Sequence, residues 1–418
     1  LSINAFPAEI QAIVQNGILD RMYQEALTPA LLYRNLATQR PFQANLGEIV
    51  TFTRTGLLLP VTTPLTVGTD PTAQNYTVEQ YSMSLNSYGN AMDTNMLSSQ
   101  IALASKFLED NQKLAFNAAQ SLNHLTRDKL YNAYLSGNTY ATSAGSATTA
   151  LVVNNVNGFT AQMLAGPDGK YGLPVPVSAS NKLPITVNGT AVNVTAVNTG
   201  TSTLTLDTAI TWASGDPVVA VNAPVIVRPG AKTTNQKLTS SDTITLSNFT
   251  AAVAKLRQNN VPTVGGYYVA HIDAITEQQL FGDADFKQAL QGREDSPVWR
   301  DLSIGRFAGI DWVRNTEAPT VAGTSGVTVR QAILMGGDCI IEGPLQGYGQ
   351  LLSSTGVDRP GLVTMVGGIA MIHRPPIDRM QQVIGSAWNW VGDFAIPTDA
   401  ITGSSAMFKR AIVLEHAG

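Results

Sequence analysis

The stretch Asn90–Ser136, NAMDTNMLSSQIALASKFLEDNQKLAFNAAQSLNHLTRDKLYNAYLS, contains neither Gly nor Pro and is bracketed by Gly89 and Gly137. Apolar residues recur in it at Leu97, Ile101, Ala104, Leu108, Ala115, Ala118, Leu122 and Leu125, in steps of three, four or seven. That is one stripe of an α-helix, with Lys106, Glu109, Asp110, Lys113 and Arg127 on the polar face. A helix of roughly forty residues is about 60 Å long. Such a rod exceeds the width of a small compact domain, so the spacing predicts a broad plate with this helix as its spine. A plate has edges, and neighbours must cover them.

The flanks add detail. Pro7 to Ala26 carries amphipathic spacing through Ile10, Ile13, Val14, Ile18, Leu19 and Met22, which predicts a short helix. Glu48–Leu58 gains β-branched and aromatic residues, Leu59–Thr77 is broken by Pro60, Pro64, Gly68 and Pro71, and Val78–Tyr88 alternates again. Strand, long proline-punctuated tip, strand is a protruding hairpin rather than a tight core one. Its apolar tip, Leu57-Leu58-Leu59-Pro60-Val61, stays exposed unless another subunit covers it.

Beyond the helix, about Thr139–Pro229 turns rich in Thr, Val, Asn, Ala and Gly and almost loses Lys and Arg. Asn188-Gly189 between Ile185–Val187 and Thr190–Val192 is a strong short-range hairpin signal, and Leu204–Trp212 and Val218–Val221 read as further strands. The composition predicts an inserted β module whose strands stay out of the neighbouring sheet. From Thr243 helices and strands alternate: a helix capped by Ser247 and ending before Pro262, a buried strand Tyr267–Ile272, and a helix from about Ala274 to Gln291. Strands follow at Gly309–Arg314, Gln331–Met335, Leu362–His373, Trp388–Ile396 and Ala411–Leu414. The class is α+β.

Only 13% of the 418 residues are charged, about half the usual share of roughly 25%. Hydrophobic residues make up 44% and the net charge is −4, which excludes a disordered tail and a basic nucleic-acid-gripping surface. A surface this neutral favours association. No run reaches the roughly eighteen consecutive apolar residues of a membrane span. The lone Cys339 lies in an apolar run and reads as a core residue; His124, His271, His373 and His416 never stand four apart as a helical metal pair. Asp283 with Asp285 has carboxylates for a cation but reads more simply as a solvated face. No nucleophile elbow, phosphate-cradling loop or dinucleotide fingerprint occurs, so no enzyme, no catalytic residue and no cofactor is expected.

Three segments, Leu125–Gly137 closing the long helix, Ile304–Asn315 and Ile333–Asp338, stand within this order of elements. Together they resemble the major capsid proteins of tailed bacteriophages, whose fold is the Hong Kong 97-type capsid fold. The resemblance covers nearly the whole chain and lies more in the architecture than in any motif. It implies an N-terminal arm at 1–46, an extended loop at 47–89, the spine helix of the peripheral domain at 90–136, an inserted β domain at 139–235, an axial domain at 240–342, and returning peripheral and axial strands at 343–418. It also implies an icosahedral shell in the virion, built from hexamers and pentamers of the chain around double-stranded DNA. Portal, scaffold and cement or decoration proteins are the implied partners. A cellular nanocompartment of the encapsulin kind, enclosing cargo enzymes, shares the fold and is the alternative.

On that reading Arg21, Arg34, Arg40 and Arg54 are expected to form ion pairs between subunits, with Glu48 or Glu79 as partners. Leu57, Leu58 and Leu59 at the hairpin tip and Glu317 complete the interface candidates. The negative net charge predicts DNA contained without being gripped. Some members of the family join subunits by an isopeptide bond from a Lys of the extended loop to an Asn of a neighbour. Here the first Lys is Lys106, so that loop lacks the nucleophile and a noncovalent shell is expected.

Overall fold

The structure is a computed structural model that describes residues 6, 10–11, 18–27, 32–42, 49–55, 58, 60–74, 76, 78–95, 103–162, 174–290, 305–349, 352, 363–376, 379–380, 382–399 and 408–418. The chain divides into two compact units, one of residues 1–51, 82–129 and 340–395, the other of 52–81, 130–339 and 396–418.

The first unit is built on a six-stranded sheet. Its strands run in the order Thr38–Gln39, Ile341–Pro344, Val383–Ala395, Ile369–Arg374, Val363–Val366, with Asn86–Asn95 also paired to Val383–Ala395. That last pairing corrects the sequence reading. Asn90–Asn95 is not the start of the spine helix but a strand, antiparallel to Val383–Trp388 from Val383↔Asn95 to Trp388↔Asn90. The apolar stripe starts only at Leu97, so nothing in Asn90–Asn95 specified a helix, and a thirteen-residue partner strand supplied the backbone bonds. Gly89 fits the same ladder, because a Cβ there would lie 2.6 Å from the Trp388 carbonyl oxygen.

Helix α1 (Ile18–Leu27) turns Leu19 and Tyr23 inward. Helix α2 (Leu103–Tyr134) has 32 residues, hence a length of about 48 Å rather than 60 Å. Phe107, Asn111, Leu114, Ala115, Ala118, Leu122, Thr126, Leu130 and Tyr134 form its buried face. Asp110, expected on the polar face, is buried as well; it accepts from the Thr94 hydroxyl at 2.9 Å and pairs with Lys106 at 2.9 Å.

In the second unit, helices α3 (Leu246–Gln258), α4 (Ala274–Gly282) and α5 (Ala284–Leu290) accompany a seven-stranded sheet. The sheet runs Ile226–Val227, Ala411–Ala417, Thr328–Met335, Tyr268–Ile272, Ile310–Arg314, Arg306–Phe307, with Thr320–Ala322 beside Thr328–Met335. Tyr268–Ile272 and Ile310–Arg314 are parallel, which is why α4 and α5 lie between them in sequence. Phe249, Val253 and Leu256 of α3 pack into the core with Ala270, Ile272, Trp312 and Leu334. The cap of α3 is Thr245, not Ser247: the Asn248 Oδ1 accepts from the Thr245 N–H at 3.1 Å. The single helix expected over 274–291 breaks at Asp283, whose carboxylate accepts from the Leu246 N–H at 2.8 Å. That bond uses the carboxylate that sequence alone left to solvent or a cation.

The β module is a separate sheet in this unit. Its order is Asn138–Tyr140, Pro217–Ala220, Leu183–Val187, Thr190–Asn198, Thr203–Trp212, Gly145–Val152. It has its own core of Leu151, Phe159, Leu183, Ile185, Val194, Leu204, Trp212 and Val218. Asn188 and Gly189 sit at φ 48° and 84°, the two positive values a two-residue hairpin needs. An Ala141↔Val153 bridge ties the first strand's end back to the last strand. The Ala220 N–H donates to the Gly137 carbonyl at 2.8 Å, so the module's two ends leave from one point. The module ends sooner than composition suggested. Ile226–Val227 pairs in parallel with Val413–Leu414 and belongs to the seven-stranded sheet. Its partner lies near the other end of the chain, and no local pattern could announce it.

Candidate assembly surface

Strands Ile49–Thr55 and Val78–Ser84 pair as a two-stranded hairpin, as the alternation predicts. Phe52 stacks on Tyr81 with ring centroids 5.5 Å apart, and this is the hairpin's apolar clasp. Arg54 is half-buried at its root. It pairs with Asp399 at 2.7 Å, and Asp399 in turn accepts from Arg410 Nε at 2.8 Å. Burial pushes the Asp399 carboxyl up to about 6; Asp338 adds to the rise, while Arg54 and Lys409 oppose it.

Between the strands, every described residue from Leu58 to Gln74 is exposed. Leu58, Val61, Leu65 and Val67 among them are 57%, 67%, 63% and 101% exposed, and Tyr76 beyond them is 45% exposed. Pro60, Pro64 and Pro71 fix φ in this segment and remove three donors, so it neither helps a helix nor joins a sheet. An apolar arm of this length is a surface waiting for cover.

The other expected interface residues are placed unevenly. Arg21 is exposed on α1, and Arg40 is exposed beside the strand Thr38–Gln39. Arg34 is buried and committed within its own chain: Nε lies 3.0 Å from both Glu342 carboxylate oxygens, and Nη2 reaches Oε1 at 2.6 Å and the Gly367 carbonyl at 2.8 Å. Arg54 likewise has its acidic partner in the same subunit. The pairing expected between subunits is therefore internal for these two. Glu317 is half-buried in a turn where its N–H donates to Asn315 Oδ1 at 2.9 Å. Glu48, Leu57 and Leu59 lie outside the described residues, as does the side chain of Glu79. The exposed apolar stretch extends past the Leu57–Val61 tip expected from sequence to Leu65, Val67 and Tyr76, and apolar residues spaced between prolines are the sequence signal for it.

His271, His373 and His416 are buried, and His124 is half-buried. His271 is buried, receives the Asn315 side-chain amide at 3.0 Å on Nδ1, and burial lowers its pKa to about 3. Among the described residues no cluster of His, Cys, Asp and Glu is arranged to hold a metal ion, and Cys339 is buried.

No protein-family profile matches the chain, and no curated protein matches it by sequence. Solved structures do. The capsid of Ralstonia phage GP4 aligns with 92% of this chain and 87% of its own, at 12% identity and a TM-score of 0.50. The chain has the Hong Kong 97-type capsid fold. The capsid of cyanophage P-SCSP1u aligns with 93% of this chain and 88% of its own, at 10% identity and a TM-score of 0.49. The cyanophage Pam1 capsid aligns over 90% and 87%, at 12% identity and 0.47. In this capsid fold α2 is the spine helix, and the described residues between the hairpin strands Ile49–Thr55 and Val78–Ser84 are exposed.

Proposed function

We propose that the chain is the major capsid protein of a tailed bacteriophage, a subunit of the icosahedral virion shell that encloses double-stranded DNA. The carrying observation is the arm from Leu58 to Tyr76, whose described large apolar side chains are exposed in the subunit. A permanent assembly buries such surface between copies. Closed symmetry, in hexamers and pentamers, lets every copy use the same arm on the same neighbouring patch. Residues 1–46 serve as the N-terminal arm and 47–89 as the extended loop. The axial domain falls within 240–342, the peripheral domain includes α2, and the β module is an insertion on the shell surface. Arg21, Arg40 and Glu317 with the tip leucines are the remaining interface residues. Portal and scaffold proteins are the expected partners, with cement proteins where the arm alone does not lock the shell.

Expression of the chain with its scaffold, followed by electron microscopy and nucleic-acid analysis of purified particles, tests this reading. Shells containing DNA support it. Shells holding a cargo enzyme in place of DNA would move the chain to the nanocompartment class, and a well-behaved monomer under all conditions would end both.

A further inference from the structure

The first unit contains a buried polar clasp that the shell reading does not use. Tyr23, fully buried on α1, places its hydroxyl 3.0 Å from Asn111 Oδ1 on α2 and 2.9 Å from His373 Nε2. The His373 Nδ1 lies 3.2 Å from the Ser386 hydroxyl, and Asn111 donates to the Phe107 carbonyl at 2.8 Å. The Tyr23 and His373 rings stack with an interplanar angle of 8°, and Phe107 lies against the histidine at 5.7 Å. One tyrosine on the arm helix thus bonds at once to the spine helix and to the strand Ile369–Arg374.

The donors order themselves around the ring. The Tyr23 hydroxyl gives its proton to Asn111, so it accepts from Nε2–H, and Nδ1 accepts from Ser386. The neutral imidazole satisfies every member. A second proton would enter at Nδ1, where Ser386 must reverse its role, and would put a charge in a site with no counterion among the described residues. The groups facing the ring, Tyr23, Phe107, Asn111 and Ser386, are all uncharged. Among the described side chains of the same elements, Arg21, Glu25, Glu109 and Arg374 are exposed, Lys106 pairs with Asp110, and Asp393 pairs with Lys129. Burial alone holds the His373 pKa down, to about 4.

We propose that Tyr23 and His373 form a proton-released catch: protonation of His373 undocks α1 from the spine helix and leaves the rest of the fold in place. The direction follows from linkage. Docked, the imidazole stays neutral down to about pH 4; with α1 lifted it approaches the ordinary value of 6.5, so acid favours the lifted state. Between pH 7 and pH 5 the lifted population rises by up to about 20-fold.

Hydrogen exchange of the native full chain at pH 7 and pH 5, corrected for intrinsic rates, reads the catch. Peptides covering 18–27 should lose up to about 20-fold in protection, while peptides covering α3 (246–258) hold theirs. His373→Gln keeps an amide near Nε2 and cannot titrate, so its α1 protection should be the same at both pH values. Tyr23→Phe keeps the ring, and should be less protected than wild type at pH 7 whatever the fate of the glutamine variant. Equal α1 protection at pH 7 and 5, parallel loss in α3, a wild-type pH response in His373→Gln, or full protection in Tyr23→Phe would each overturn the proposal.

Discussion

Removing the Arg34 side chain should cost the subunit its own stability before it costs the shell anything. Glu342 is 1% exposed; its two carboxylate oxygens share the Arg34 Nε–H, and Oε1 also accepts from Nη2. In Arg34→Ala that carboxylate stays in the interior without its partner. Breaking one side of a buried pair costs about 3–5 kcal/mol, far more than the 0–1 kcal/mol of a surface pair. For a domain of 150–250 residues each kcal/mol moves Tm by about 2–4 °C, so the transition of the first unit should fall by roughly 6–20 °C. Replacing both partners together, Arg34→Met with Glu342→Leu, removes the desolvation cost of two charges, a change measured elsewhere at neutral to about 4 kcal/mol stabilising. It also removes the Arg34 bond to the Gly367 carbonyl at 2.8 Å, but Gly367 is exposed and water can take that place. The double variant should therefore melt no lower than wild type. Calorimetry of unassembled subunits at pH 7.5 decides it. A single variant that melts like wild type but fails to assemble would return Arg34 to the interface between subunits, and a double variant as unstable as the single would refute the desolvation argument.

Four further outcomes are expected. Leu58→Asn, Val61→Thr, Leu65→Asn and Val67→Thr together should leave the subunit Tm within about 1 °C, because the residues are exposed, yet remove about 1–2 kcal/mol of burial each on assembly; sedimentation velocity should then show subunits in place of shells. Deleting 138–220 and joining Gly137 to Val221 should leave the seven-stranded sheet folded, since the module's ends meet at one hydrogen bond, and circular dichroism with a cooperative melt checks this. His271 is held neutral to about pH 3 against an ordinary 6.5, so its contribution is full above pH 6.5 and is lost as pH falls, a loss on the order of 3 kcal/mol by pH 4.5. Unfolding midpoints of wild type and His271→Gln across pH 7.5–4.5 should diverge accordingly, and parallel curves would count against it. Mature particles boiled in reductant should run on a denaturing gel as one band near 44.3 kDa, whereas a ladder of higher species would show covalent joining.

Local physics was legible in the sequence, and long-range pairing was not. The apolar stripe from Leu108 to Leu125 marked α2, and Asn188-Gly189 marked a hairpin, because both signals act within a few residues. Asn90–Asn95 was misread because the absence of Gly and Pro permits a helix without requiring one. The strand that claims those residues is almost 300 positions later, at Val383–Trp388. Ile226–Val227 was placed in the wrong module for the same reason, its partner being Val413–Leu414. At the candidate surface, the uncovered tip was foreseen because prolines exclude both helix and sheet interior. The internal fate of Arg34 was not, since an arginine looks the same whether its carboxylate lies 308 residues away in its own chain or across an interface.

The placement of the charges sharpens the case for association beyond composition. Charged residues are 13% of the chain, and several are withdrawn from the surface: Arg34, Asp110, Asp273, Glu342, Asp393, Lys409, Arg410 and Glu415 are all buried. Arg228 joins Glu415 at 2.7 Å, Arg330 joins Asp273, and Lys129 joins Asp393 at 3.0 Å, so scarce cations are engaged inside the subunit. Those charges are withdrawn from the surface of a chain that is only 13% charged to begin with, and long-range repulsion between copies is correspondingly weak. A monomer built this way would have little to keep it apart from its own kind. On the proposed reading a shell subunit would gain from the same distribution twice, because buried pairs fix the fold of each copy while a weakly charged exterior would let the exposed apolar residues of Leu58–Tyr76 be covered by a neighbour without a desolvated charge in the way.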